Sequence, residues 1–130
     1  MFKEKLDEST KGLFYISESD APVKPFTGGK ADAVTVDNLL KEIKGDSKNL
    51  RITEITPEEF FEPLTKIRDG ASERETEYAE RFGRIREMLD ENLLDVKVFK
   101  LGNDCKKDIY IVGLDRDNNL TGVQTQATET

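Results

Sequence analysis

The chain has 130 residues, with 20 Lys and Arg against 27 Asp and Glu, giving a formal charge of −7. It has no His and one Cys, which excludes a Ser-His-Asp triad, a Cys-His pair, a His-ligated zinc and an internal disulfide. The acidic balance argues against direct nucleic-acid binding, whose usual footprint is a basic patch, and fits a soluble protein or one that meets a basic partner.

From the N-terminus, residues 2–12 read as a short helix, with Phe2, Leu6 and Leu13 spaced to share a face. Leu13-Phe14-Tyr15-Ile16 is a continuous apolar run, either a helix end or a buried strand. Residues 17–33 contain Pro22, Pro25, Gly28 and Gly29 and read as loop, with a short edge strand at Val23–Phe26. A helix from Val36 or Asp37 to Lys44 follows; Leu39, Leu40 and Ile43 form its apolar face and Gly45 its stop. Leu50–Ile55 alternates with period two and predicts a strand.

Thr56-Pro57-Glu58-Glu59 has the layout of a capped helix start: a capping hydroxyl, a proline in the first turn, and a glutamate three residues after the cap. Ser72 and Glu75 repeat that box. Tyr78, Phe82, Ile85, Leu89 and Leu93 then recur at helical spacing, and Glu77–Arg81 and Glu80–Arg84 form i,i+4 pairs on other faces. The last third alternates as strands: Val96–Leu101, Asp108–Leu114 and Leu120–Ala127, joined by turns at Gly102-Asn103-Asp104 and Asp115–Asn119. Short connections predict an antiparallel meander, and helices before strands predict an α+β domain with a helix-covered sheet. Nothing splits the chain, so residues 1–130 read as a single domain. No apolar run is long enough to cross a membrane, and the start lacks a signal-peptide core, so the expectation is a soluble cytoplasmic protein.

Four features invite a chemical reading. Asp115-x-Asp117-x-Asn119 imitates a calcium loop, but the sixth position is Leu120 rather than Gly and the twelfth is Gln126 rather than Glu; a polar hairpin tip is the better reading. Gly28-Gly29-Lys30 lacks the spacing of a phosphate loop and reads as flexible loop. Glu18 and Asp20 are paired acids on a loop, suited to acid–base work only if one is buried; with nothing there to supply a nucleophile or a defined pocket, they read as a cap, an exposed loop or an anchor for a basic partner. The closing Glu129-Thr130 offers hard oxygen donors of the kind magnesium accepts, against the plainer reading of a frayed tail. Phe99 and Tyr110 read as core.

Taken together, Gly12-Leu13-Phe14-Tyr15-Ile16-Ser17-Glu18-Ser19-Asp20, Phe60-Phe61, Leu101-Gly102, Asp108–Gly113, Asn119–Val123 and Glu129-Thr130 resemble the nuclease A inhibitor family of bacterial proteins. The order and spacing of these segments carry the resemblance. It implies a three-layer α-β-α sandwich with a mainly antiparallel sheet, no catalysis and no cofactor. It also implies competitive inhibition of a magnesium-dependent, DNA/RNA non-specific endonuclease by a protein that is a monomer when free. The family's metal-reaching C-terminal threonine falls on Thr130, next to Glu129, and would meet only the partner's magnesium. The family's loop glutamate falls on Glu18. An aspartate–tryptophan contact falls on Asp69-Gly70, where the aspartate is kept and the tryptophan is not. Since buried Trp residues are common interface anchors, Gly70 motivates an alternative: an acidic interaction module of the same fold with a different partner.

Overall fold

The computed structural model describes residues 2–16, 20–43, 51–102 and 105–128. In chain order the elements are α1 (Phe2–Thr10), β1 (Phe14–Ile16), β2 (Asp20–Pro22), β3 (Lys24–Lys30), α2 (Val36–Ile43), β4 (Arg51–Ile55), α3 (Pro57–Thr65), α4 (Glu73–Asn92), β5 (Leu94–Gly102), β6 (Lys106–Leu114) and β7 (Asn119–Thr128). The expectations for Gly45, Leu50 and Asn103–Asp104 fall outside the described residues.

The fold is α+β. The predicted meander forms the middle of a five-stranded antiparallel sheet in the order β3-β7-β6-β5-β4, while β1 and β2 pair separately as a two-stranded ribbon. In the sheet, Ile111 faces Val123 and Val98 across the two ladders. Strand alternation sends successive residues to opposite faces, and the apolar side chains accordingly divide between two clusters. Val98, Ile109, Ile111, Val123 and Ala127 join Leu6 of α1, Phe60 and Phe61 of α3, and Phe82, Ile85 and Leu89 of α4. Phe99, Leu101, Tyr110, Val112, Leu114 and Leu120 join Phe26, Val34 and Leu39, the last from α2. Phe99 and Tyr110 are thus core residues, and Phe26 meets the Tyr110 ring edge-on with 5.3 Å between centroids.

The capping boxes form as their spacing requires. Thr56 Oγ1 accepts from Glu59 N at 3.1 Å and Ser72 Oγ from Glu75 N at 3.1 Å. Arg81, expected to pair with Glu77, turns across to α1 and donates to the carbonyl oxygens of Ser9 (3.2 Å) and Lys11 (2.5 Å). Helix α1 has no basic residue in its last turn, so a guanidinium from α4 satisfies carbonyls at its end.

Three local readings are corrected. The run 13–16 is neither helix end nor buried strand: Leu13 is buried, but Phe14 and Ile16 are exposed on the ribbon. The region read as loop with an edge strand at Val23–Phe26 holds β2 and a longer β3 that runs through Gly28-Gly29 to Lys30. Because β3 is outermost and pairs only with β7, Pro25 is accommodated, and the register shifts between Thr27 and Lys30. The glycine pair is therefore strand rather than loop, and the Glu42 side chain of α2 lies against it. Strand β4 is the other edge, which leaves Ile52 exposed.

Candidate functional site

The ribbon and the α3–α4 connection make the most distinctive surface. Tyr15 points inward and stacks on Phe60 of α3, centroids 5.6 Å apart. Alternation along a strand then turns Phe14 and Ile16 the other way. The ribbon is held at its base by Val23 N donating to Leu13 O at 2.9 Å. Both ribbon strands also pack on β7, where the Thr125 hydroxyl donates to Pro22 O at 3.2 Å.

Helix α3 ends at Thr65, and the chain crosses to Ser72 through Lys66-Ile67-Arg68-Asp69-Gly70-Ala71. A turn forms in this crossing, with Ala71 N donating to Arg68 O at 3.1 Å. Gly70 is its third residue, at φ +79°, a left-handed conformation that glycine adopts without strain.

Between the ribbon and this crossing lies an open groove of about 600 Å³. Phe14, Ile16 and Asp20 line one side; Lys66, Ile67, Arg68 and Ala71 line the other; Leu64, Tyr78 and Phe82 lie among its remaining walls. Phe14, Ile16 and Ile67 are 38%, 57% and 54% exposed, large apolar surfaces left open to water. Arg74 reaches over the Tyr78 ring, 5.6 Å from its centroid.

The predicted site residues map onto this region unevenly. Asp69 and Gly70 are exposed at the turn, between Arg68 and Ala71 of the groove wall. Glu18 lies outside the described residues, but the residues that bracket its segment, Ile16 and Asp20, both line the groove. Glu129 and Thr130 also lie outside the described residues; they follow Thr128, which pairs with Lys106 at the end of β7. Among the described residues no cluster of His, Cys, Asp and Glu could hold a metal ion.

Asp115, the first residue of the calcium-like turn, spends its carboxylate internally. Oδ1 accepts from Asp117 N and Asn119 N, both at 2.9 Å, and Oδ2 from the Thr121 hydroxyl at 3.0 Å. Burial pushes its pKa up, but those hydrogen bonds and the charge of Lys3 outweigh burial and hold it below the ordinary value. Tyr110 moves upward through burial and the nearby charge of Asp108, in keeping with a core phenol. Neither arrangement resembles a reactive centre.

The groove itself was not singled out from the sequence. Its one local signal is Ile67, an isolated apolar residue in the charged, non-helical stretch Lys66-Ile67-Arg68-Asp69.

Comparison with known families settles the relationship. The nuclease A inhibitor-like protein family matches residues 1–130. The chain belongs to that family. Its role lies in nuclease inhibition, and its partner is a nuclease. No curated protein matches it. In this nuclease A inhibitor-like protein the groove between the ribbon and the α3–α4 connection is exposed contact surface.

Proposed function

We propose that this protein is a single-domain, non-catalytic competitive inhibitor of a magnesium-dependent, DNA/RNA non-specific endonuclease. The observation that carries the reading is a juxtaposition. The ribbon residues bracketing Glu18 and the turn bearing Asp69-Gly70, far apart in sequence, border one groove. Membership of the inhibitor family supplies the class of partner.

The mechanism follows from the chemistry of the target. A nuclease that accepts any polyanion needs a basic cleft, and a protein of charge −7 is steered toward it. Glu18 accepts charge-assisted hydrogen bonds from the cleft's Arg or Lys residues. Asp69 adds a second anionic contact. Glu129 and Thr130 enter where a substrate phosphate would bind, with Thr130 reaching the nuclease's own magnesium through its oxygens. The inhibitor needs no metal or cofactor of its own. It acts inside the cell that makes the nuclease.

The test is a titration of a purified magnesium-dependent non-specific nuclease, read by hydrolysis of both DNA and RNA. Stoichiometric loss of both activities, relieved by excess substrate, is expected. Inhibition that substrate does not relieve contradicts active-site blockade. An unaffected nuclease across several such enzymes leaves the acidic interaction module, which Gly70 favours because the family's aromatic anchor is absent.

A further inference from the structure

We infer that the hollow between Lys24, Asp108 and Tyr110 binds a small zwitterion, a free α-amino acid with an uncharged side chain. The hollow shares no lining residue with the groove, and the inference does not depend on the inhibitor reading. Two features carry it: a buried phenol with an unpaired hydroxyl, and two opposite charges that do not pair with each other.

The register of the sheet makes the hollow. Lys24 lies opposite Gln124, Gln124 opposite Tyr110, and Asp108 opposite Gln126. Opposed residues share a face, as do residues two apart, so all five stand on the face that carries Phe26 and Val112. Here the apolar cluster ends: Phe26 and Val112 are buried, whereas Lys24, Asp108 and Gln126 are exposed. Ala21 and Pro22 of the ribbon add a wall, leaving a hollow of about 270 Å³. At about 30 Å³ per water, that is room for a small molecule rather than a single solvent molecule. Tyr110 is only 8% exposed, yet among the described residues its hydroxyl has no hydrogen-bond partner. No sealed side-chain oxygen among them is left unpaired, so this hydroxyl meets solvent, and the hollow is where Tyr110 lines open space. Its ring is fixed in the core, with Phe26 edge-on at 5.3 Å, so the hydroxyl is a donor positioned before any guest arrives. Burial and the charge of Asp108 keep it protonated.

The charges select the guest. Lys24 and Asp108 are the charged residues lining the hollow, and among the described residues neither forms an ion pair. Beyond the rim, Asp20 precedes Ala21 on β2 and Lys106 stands two residues before Asp108 on β6, so the described surroundings add one charge of each sign. Gln126 Nε2 donates to Asp108 Oδ1 at 3.0 Å, which orients the carboxylate and leaves Oδ2 without a donor among the described residues. A simple anion is repelled by Asp108, and a simple cation by Lys24. A zwitterion satisfies both. Its carboxylate accepts from the Lys24 ammonium, the Tyr110 hydroxyl and the Gln124 amide, and its ammonium donates to Asp108 Oδ2. With both charges used on the head group, a charged side chain on the guest is left unmatched, so the guest's side chain is uncharged.

The test is a titration of the intact, isotopically labelled protein with L-alanine, L-serine and L-glutamine, followed by amide chemical shifts. Expected is saturable movement of the Lys24, Tyr110, Gln124 and Gln126 amides by at least one of the three, with Kd at or below about 10 mM. Propionate and propylamine each carry half of the head group and should bind about tenfold more weakly or worse. Tyr110→Phe removes the hydroxyl and keeps the ring, so amino-acid affinity should fall about tenfold while the melting temperature holds, since that hydroxyl bonds nothing in the fold. Asp108→Asn should lift the exclusion of propionate, a reversal that a merely structural residue does not produce. Lys24→Gln should likewise admit propylamine, and being at an exposed residue it keeps the comparison available if Asp108→Asn folds poorly. No saturable shift with any of the three amino acids overturns the inference. So does binding indifferent to Tyr110→Phe. Propionamide binding as tightly as the best amino acid makes the guest a neutral carboxamide and overturns the zwitterion assignment.

Discussion

The Thr125 hydroxyl donates to the carbonyl oxygen of Pro22 at 3.2 Å, joining the ribbon to the last strand of the sheet. Thr125 is buried, three residues before Thr128, and Pro22 closes the ribbon strand that begins at Asp20. One hydroxyl therefore ties together the two elements that lead to the proposed Glu18 and Thr130 contacts. Replacing it by a shape-matched methyl, Thr125→Val, leaves a carbonyl without that donor and is expected to cost about 1 kcal/mol. The loss should be concentrated in the ribbon. Amides of residues 14–16 and 20–22 should exchange faster with deuterium than the global loss explains, while β5 and β6 amides follow the global loss alone. Uniform acceleration across both sheets would show that the ribbon is held in some other way.

The repeating part of the structure was readable in the sequence because periodicity reports burial. Phe82, Ile85 and Leu89 of α4 and the alternating residues of β5–β7 are core residues, as their spacing predicts. The same logic misread Leu13–Ile16. A short apolar run is silent on whether its surroundings cover it, and here only Leu13 is buried while Phe14 and Ile16 face water. Glycines and prolines misled in residues 17–33, because a strand at a sheet edge tolerates both. The groove was illegible for a further reason. It joins residue 16 to residue 67, and no local pattern states that the β1–β2 ribbon and the α3–α4 crossing approach each other.

The Asp115 carboxylate gives the fold a pH dependence of definite sign. Its pKa is lower folded than unfolded, so the charged form stabilises the native state. That contribution is complete above the ordinary carboxylate pKa, about 4, and is lost as pH falls through the lower folded value. The hydroxyl of Thr121, a wholly buried residue, donates to the same carboxylate at 3.0 Å and lies 3.3 Å from the Asn119 carbonyl oxygen. Asp115→Asn keeps an acceptor for the turn amides but removes the charge, and is expected to destabilise by about 1 kcal/mol at pH 7. Urea denaturation from pH 7 to pH 2 should show the gap between variant and parent closing below pH 4. A gap independent of pH would mean that shape alone, and not ionisation, fixes the turn.

Gly70 is the position where the resemblance places a tryptophan, and its backbone now constrains what restoring one does. At φ +79° a side chain brings strain regardless of the open space around it. Gly70→Ala is expected to lower stability by about 1 kcal/mol, and Gly70→Trp by a similar amount. Thermal denaturation of the two variants checks this. If Gly70→Trp melts no earlier than the parent, the turn has room to change its backbone, and the tryptophan anchor becomes accessible to this chain.

The two proposed anionic contacts predict different kinetic signatures. Glu18→Gln removes a charge and keeps the shape, so its largest effect should fall on association with the nuclease. Measured by stopped flow, the association rate of Glu18→Gln should fall most at low ionic strength and approach that of the parent as salt screens the attraction. Deleting Thr130 removes an oxygen donor proposed to bind in the cleft, and most interface changes of that kind act on dissociation. Its complex should dissociate about tenfold faster or more, with the melting temperature of the free protein unchanged. The deletion should also erase any dependence of the dissociation rate on magnesium, because Thr130 is the proposed route to the metal. Equal inhibition with and without Thr130 would remove the tail from the mechanism and leave Glu18, Asp69 and the groove to carry the interaction.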